Sequence, residues 1–514
     1  MMCHTTPNNL WLIEQFKDSS VYGHSVDGQI VVHETHISWV ILAGHFAYKV
    51  KKAIETDFLD YTSLSKRHHA CCEEMRLNSR YADGMYLDVV PIAMEDGCVK
   101  MDGDALPIEF AVRMRRFPED SLLANRIDAN RVNDSDMFQL AKSIASFHRR
   151  ADVWRGSSDQ AVAGILNQAK ANFTNLYCPP LSEHENTLRQ LEDWTDQFFA
   201  RHKTLFERRV CEGFVRECHG DLHCENIVFW HEHFVPFDGI EFNSDYSWID
   251  VLSDVAFLTM DLQARDRTDL AACFLNAYLE QTGDYESLQL LIWYKVYRAL
   301  VRAKVAMLRY QQTSLDAGQP LELIATAKKF LLLAHQWIEA GPHHLWITHG
   351  VSGSGKTTGS LEHVKAKGAI RIRSDIERKR LIGTSPTLHS SMGLDEGIYA
   401  ATTTRATYQA LLGLARKILR SGFSVVVDAT FLRFSDRKLF CDLARAEGVP
   451  FHILDFQAET TVLRRRIADR ALARVDASDA NLLVLERQLT EQDPLNDCEL
   501  KQTVSVVPDS SRLN

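Results

Sequence analysis

The first sixteen residues, MMCHTTPNNLWLIEQF, have neither a basic leader nor a long apolar core, and the most apolar run, 37–48, is interrupted by Gly44 and His45. Such a run is too short to span a bilayer, so the sequence points away from secretion and membrane insertion and toward the cytoplasm. Also missing is any paired CxxC framework: the eleven cysteines include adjacent Cys71 and Cys72 but no metal-ligand spacing. That argues against a zinc site or a disulfide scaffold and for ordinary reduced thiols. No stretch is rich enough in proline, glycine or serine to read as disordered, so the chain is expected to fold throughout.

At 514 residues the chain exceeds one ordinary core. A prior of about 150 residues per domain suggests about three units or two large ones. The formal charge of −10 is unevenly spread: 342–514 holds 24 basic and 20 acidic residues, and 1–341 holds 34 and 48. The acidic first part is a poor binder of polyanions, whereas the second tolerates an anionic substrate without forming a basic nucleic-acid patch.

Residues 30–52 read as two strands around a turn at Ala43-Gly44, because β-branched and aromatic residues flank a glycine connection. Residues 63–81 read as a helix and 108–117 as a strand, after which helical periodicity holds from about 136 to 338, broken by a β-rich insert near 215–245. This order implies a small β lobe, about 1–117, followed by a large α lobe, about 118–341. Ala340-Gly341-Pro342 ends a helix and sets the boundary of a second domain, 342–514. Beyond it, HHLWITH, GAIRIRSD, SVVVDAT, VPFHILDF and TVSVVPD are short apolar strands alternating with helices, the pattern of a mostly parallel α/β sheet.

Gly350-Val351-Ser352-Gly353-Ser354-Gly355-Lys356-Thr357 matches GxxxxGK[ST] and follows a strand, as that loop requires. Backbone N–H groups from Gly350 through Thr358 are expected to cradle the β-phosphate of ATP, Lys356 to reach the β/γ oxygens, and Thr357 to give an oxygen to Mg2+. Two further strand ends carry carboxylates, where ligands of open α/β sheets bind. Asp375 and Arg378, three residues apart, suit an acceptor hydroxyl and a neighbouring anion, and Asp428 suits Mg2+ or its waters; either aspartate can instead be a helix cap. Arg464, Arg466 and Arg470 lie on one expected helix and read either as a solvated face or as a lid over the transferring group.

On these motifs 343–514 resembles the P-loop kinases that include polynucleotide kinase, gluconate kinase and zeta-toxin-type kinases; the run ASDANLLVLERQ (477–488) is also typical of that group. The resemblance implies that Asp375 is the acceptor-activating base, Arg378 an acceptor anchor, and Arg466 and Arg470 the lid. It gives a reaction type and no substrate.

In the first half, His219-Gly220-Asp221-Leu222-His223-Cys224-Glu225-Asn226 leads into the apolar run 227–230, a turn at 231–233, and a second strand ending at Asp238-Gly239. The expected hairpin places a carboxylate and an amide at its entrance and a carboxylate at its exit. Asp221 can accept a proton from a hydroxyl, while Asn226 and Asp238 are hard oxygen ligands for Mg2+. A metal reading of His219, His223, His231 and His233 is the weaker alternative.

HGDLHCEN and PFDGIEF stand where aminoglycoside phosphotransferases, and more distantly protein kinases, carry their catalytic loop and metal-binding aspartate. The resemblance implies a bilobed α+β kinase fold in which Lys49 binds ATP phosphates and pairs with Glu74. Lys51 is an alternative to Lys49, since strand alternation puts both on one face, and Glu73 is an alternative to Glu74. No GxGxxG loop precedes Lys49, a departure from the protein-kinase pattern. Asp250 and Asp254 read as structural, tying loops or capping a helix.

The whole chain thus resembles a bacterial protein that fuses an aminoglycoside phosphotransferase-like kinase to a P-loop kinase. Two ATP- and Mg2+-dependent sites, each phosphorylating a small-molecule hydroxyl, are the leading expectation. The competing ones are a nucleotide-binding sensor without turnover, and a C-terminal kinase for nucleic-acid 5′-hydroxyls, which the modest +4 balance of 342–514 disfavours.

Overall fold

The computed structural model describes residues 8–56, 59–312, 319–339, 341–383, 401–473 and 482–505. Contacts divide the chain into two compact units, Met1–Asp261 with Trp293–His335, and Leu262–Ile292 with Gln336–Asn514. Among the described residues no helix is long and apolar enough to cross a membrane.

The first unit is an α+β fold, a β lobe followed by a largely helical lobe. The main sheet of its β lobe is antiparallel, with strands β1 (Val31–Glu34), β2 (Ser38–Ala43), β3 (Phe46–Lys51), β4 (Tyr86–Glu95), β5 (Cys98–Met101) and β6 (Pro107–Arg115) in the order β1-β2-β3-β6-β4-β5. Alternation along β3 assigns its two faces. Tyr48 and Val50 enter a core with Trp39, Ile41, Val90 and Ile92, while Lys49 and Lys51 turn to the side of helix α1 (Leu64–Asn78). Ser63 starts that helix by accepting a hydrogen bond from the Lys66 amide.

Residues 30–52 form three strands where the sequence suggested two. The additional turn is closed by Thr35, whose amide donates to the Ser38 carbonyl at 2.9 Å and whose hydroxyl oxygen accepts from the Ser38 amide at 3.0 Å. No glycine or proline marks it. The β4–β5 hairpin also escaped the sequence reading, because Pro91 sits inside β4 and obscures the turn signal at Asp96-Gly97.

In the α lobe, β7 (Val215–Glu217) pairs with β10 (Trp248–Asp250), and between them β8 (Ile227–Trp230) pairs with β9 (His233–Pro236). The β8–β9 connection is a two-residue turn with positive φ at His231 and Glu232. Among the helices that follow are α2 (Val251–Ala264), α3 (Thr268–Thr282) and α4 (Leu288–Gln312).

The second unit is a P-loop α/β fold. Strands β11 (Leu345–His349), β12 (Ile370–Arg373), β13 (Val425–Asp428), β14 (Phe451–Asp455) and β15 (Thr503–Ser505) form an all-parallel sheet in the order β12-β13-β11-β14-β15. Helix α3 belongs to this unit, with Ala272 in one core with Trp346, Val364, Ala369 and Leu454. Helix α5 (Lys356–Lys367) follows β11, α6 (Ser374–Leu381) follows β12, and α7 (Thr460–Ala473) follows β14.

Candidate functional site

In the first unit, charge is gathered from four separate segments. Lys49 Nζ donates to Glu74 Oε1 at 2.9 Å and also to Asp238 Oδ1. Lys51 Nζ donates to Glu74 Oε2 and to Glu241 Oε1, and Tyr61 adds its hydroxyl to Glu241 at 3.0 Å. Glu74, on α1, is fully buried and serves both lysines, whereas Glu73 pairs with Arg76 near the surface. Burial alone would raise the Glu74 carboxyl, but Lys49 and Lys51 outweigh it and hold it below the ordinary carboxylate range. Burial would likewise lower the Lys49 ammonium; Asp238, Glu74 and Glu241 reverse that and raise it. Of the two lysines, only Lys49 reaches Asp238.

The hairpin brings its polar residues together. Asn226 Nδ2 donates to Asp221 Oδ2 at 2.9 Å and to the Asp221 carbonyl at 3.0 Å, and the Phe237 amide donates to the Asn226 carbonyl at 3.0 Å, which sets Asn226 beside the segment bearing Asp238. Asp238 has left-handed backbone, φ +60°. Its amide donates to the Tyr86 hydroxyl at 3.0 Å and the next amide, of Gly239, to Asn78 Oδ1 at 2.7 Å. Burial raises a carboxyl such as Asp221, but His223, with Nε2 at 3.3 Å, Arg302 and His219 outweigh it and keep the group ionised below its usual range.

The loop carrying Asp221 is clamped from behind. Asp254 accepts from the His219 and Gly220 amides at 2.9 and 3.0 Å, and Arg298 on α4 donates to the Gly220 carbonyl at 2.9 Å. Arg302, one turn on, lies 3.2 Å from His223 Nε2 and donates to Glu225 at 3.2 Å. Asp250 holds Arg209 by two bonds of 2.6 and 2.8 Å and caps α2 through the Leu252 amide. His219 accepts from the Asp221 amide and faces the Phe237 carbonyl, while His231 and His233 lie at the hairpin turn, so the four histidines do not form a metal cluster.

Tyr61, Asn78, Tyr86, Glu241, Arg298 and Arg302 were not singled out from the sequence. Glu241 had a usable signal, a third acidic position just after Asp238. The pair Arg298 and Arg302, one helical turn apart on one helix, had another.

In the second unit, the loop from Gly350 to Gly355 has the backbone of an anion cradle. Gly350, Gly353 and Gly355 have φ of +136°, +83° and +96°, and a Cβ at Gly350 would meet the Phe456 carbonyl oxygen at 2.4 Å. Ser354 Oγ is buried with no hydrogen-bond partner among the described residues, as befits a loop that encloses a ligand. Lys356 Nζ donates to the Val351 carbonyl at 2.8 Å and the Ser352 amide to Gln488 Oε1 at 2.8 Å. Lys356 starts α5, Thr357 follows in its first turn, and Thr358 is exposed. These groups fit a nucleotide polyphosphate with its divalent cation.

Asp428 ends β13, adjacent in the sheet to β11, and accepts from Ser360 Oγ at 3.4 Å. Burial lifts its carboxyl above the ordinary value, against the pull of Arg371, Arg373 and Lys356. Asp375 and Arg378 pair with each other at 2.9 Å. Arg466 donates to the Gly353 carbonyl at 3.2 Å, whereas Arg464 points outward and pairs with Glu486 at 2.8 Å. The side chain of Arg470 and residues 477–481 lie outside the described residues.

Residues 345–495 match the family model described as AAA domain. Over the whole chain, an uncharacterised protein of Mycobacterium tuberculosis and another of Mycobacterium bovis are each 33% identical across 476 residues, covering 90% of this chain and 90% of theirs. Among solved structures, a choline kinase from Streptococcus pneumoniae covers 63% of this chain and 99% of its own at 14% identity and TM-score 0.38. A gluconokinase from Sinorhizobium meliloti covers 32% and 82% at 22% identity and TM-score 0.22. The chain belongs to the family of these mycobacterial proteins, with an AAA domain over 345–495.

Proposed function

We propose that the protein is a bifunctional ATP-dependent phosphotransferase acting on small molecules of the cytoplasm, with one kinase domain in 1–341 and a second in 342–514, to which Leu262–Ile292 contributes. The observation that carries the reading is the junction at Lys49, which meets Glu74 from the β lobe and Asp238 from the α lobe. A lysine so placed can hold phosphate oxygens while its counter-charges keep it protonated.

In the first domain Asp221 orients the acceptor hydroxyl and takes its proton as the new P–O ester bond forms, the terminal anhydride bond of ATP breaks and ADP departs. Its depressed pKa makes it a weak base, which suits a loose transition state in which the nucleophile needs positioning more than deprotonation. Asn226 and Asp238 are the residues to hold Mg2+, which when bound neutralises the phosphate oxygens. Arg298, Arg302 and Asp254 fix the loop that carries Asp221.

In the second domain Gly350, Ser352, Gly353, Ser354, Gly355, Lys356, Thr357 and Thr358 receive the phosphates, Thr357 and Asp428 supply oxygens for the metal, and Arg466 with Arg470 closes over the transferring group. Asp375 is the proton acceptor. Its pairing with Arg378 at 2.9 Å supports an anionic acceptor, one that competes for the guanidinium and releases the carboxylate.

The test is transfer of radiolabelled γ-phosphate into a metabolite extract by the intact protein, Asp221→Ala and Lys356→Ala. Two labelled products are expected, each lost in one variant only. Tight binding of Mg2+-ATP with no labelled product from any acceptor would replace this reading with a nucleotide sensor, and label entering oligonucleotides would identify the second domain as a nucleic-acid kinase.

A further inference from the structure

The phosphate loop is contiguous in sequence, but α3 reaches its surroundings through two arginines of β12. Strand β12 is the outer strand of its sheet and pairs with β13 on one side only. On its open side Asn276, 1% exposed, takes the place of a further strand: Nδ2 donates to the Ala369 carbonyl at 3.1 Å, and the Arg371 amide donates to Oδ1 at 2.6 Å. One helical turn on, Glu280 accepts from Arg371 Nη2 at 3.0 Å and faces Arg373 Nη1 at 3.5 Å. Both arginines continue into the nucleotide site. Arg371 Nη1 donates to the Thr357 carbonyl at 3.0 Å, in the first turn of α5, and Arg373 Nε stands 3.9 Å from Asp428 Oδ2. The Glu280 carbonyl also accepts from Arg380 at 2.8 Å, on α6, the helix of Asp375.

From this geometry we infer that Glu280 is a positioning residue of the P-loop site, holding Arg371 and Arg373 back so that Asp428 stays available to a divalent cation; the inference rests on reading that site as Mg2+-ATP-dependent. Two buried guanidiniums that lose their shared carboxylate turn to the next one within reach, and for Arg373 that is Asp428. A carboxylate whose oxygens are taken up by arginine is a poor ligand for a hard cation. Asn276 sets the register of the strand from which both arginines project.

The test uses the full chain and a fluorescent ATP analogue, counting only the binding that Lys356→Ala removes and titrating Mg2+ at fixed analogue, with thermal unfolding recorded in parallel. Glu280→Gln is expected to raise the Mg2+ concentration for half-maximal binding about tenfold, the scale of effects from residues behind a metal ligand. Binding without Mg2+ should stay close to that of the unaltered protein, and Glu280→Asp should recover part of the loss. In Glu280→Gln/Arg373→Gln, which removes the competing guanidinium, the midpoint should return toward the original, and this double variant decides the matter if the single one is poorly folded. An unchanged midpoint in Glu280→Gln, equal losses with and without Mg2+, or no recovery in the double variant would overturn the inference. Absence of any Lys356-dependent binding in the unaltered protein would overturn the P-loop reading itself, and this inference with it.

Discussion

The two units hold charge in opposite ways. In the P-loop unit the groups proposed to face phosphate are backbone amides in an eight-residue run, shaped by glycines at positive φ. In the first unit they are side chains from β3, α1 and the segment after β9, and the bond from Lys49 to Asp238 spans 189 residues of sequence. A loop of amides keeps its form as long as its glycines do, whereas a lattice of buried charges holds only while every member is present.

That contrast can be broken most severely at Glu74. Glu74→Gln leaves two buried lysines short of a counter-charge and is expected to destabilise the first unit by about 3–5 kcal/mol, read as a drop in its thermal transition. In the folded protein the Glu74 carboxyl titrates below the ordinary glutamate range because Lys49 and Lys51 outweigh its burial, so its contribution is complete at neutral pH and drains away as pH falls through the folded value. The gap between Glu74→Gln and the unaltered protein should therefore narrow in acid; a gap independent of pH would contradict the charge account.

Lys356→Ala comes next, with a loss of about 100- to 1,000-fold in turnover at the second site and little change in unfolding, since a loop lysine bonded to its own Val351 carbonyl supports little of the fold. Asn276→Ala should cost about 1–3 kcal/mol, because a buried amide and carbonyl of β12 lose their partner; hydrogen exchange at the Arg371 amide would report it directly. Arg464→Ala, removing an exposed pair with Glu486, should change stability by less than about 1 kcal/mol and leave both activities alone. A large effect there would mean that the outward face of α7 takes part in catalysis.

Legibility in the sequence followed the same division. The five parallel strands and the phosphate loop could be read in order because each is a contiguous pattern of period and glycine. The hairpin from Asp221 to Asp238 was readable for the same reason, as was the start of α1 at Ser63. Neither the choice of Lys49 over Lys51 as the partner of Asp238 nor the bond from Lys51 to Glu241 could be read, because strand alternation gives both lysines the same face and only tertiary placement separates them. Asn276 and Glu280 were invisible from sequence, since they act on residues 95 and 91 positions away and look locally like ordinary polar positions of a helix.

Asp238 has left-handed backbone, and two hydrogen bonds from the β lobe hold the chain there. The hydroxyl of Tyr86 and the amide oxygen of Asn78 grip two successive peptide N–H groups there, one from a β strand and one from the last turn of α1. The carboxylate is therefore aimed by parts of the β lobe that never touch it through their own charge. A substitution at Asn78 would re-aim it without replacing any charged side chain of the site, which makes Asn78 a place where selection or an engineer could tune the first site while leaving its charges in place.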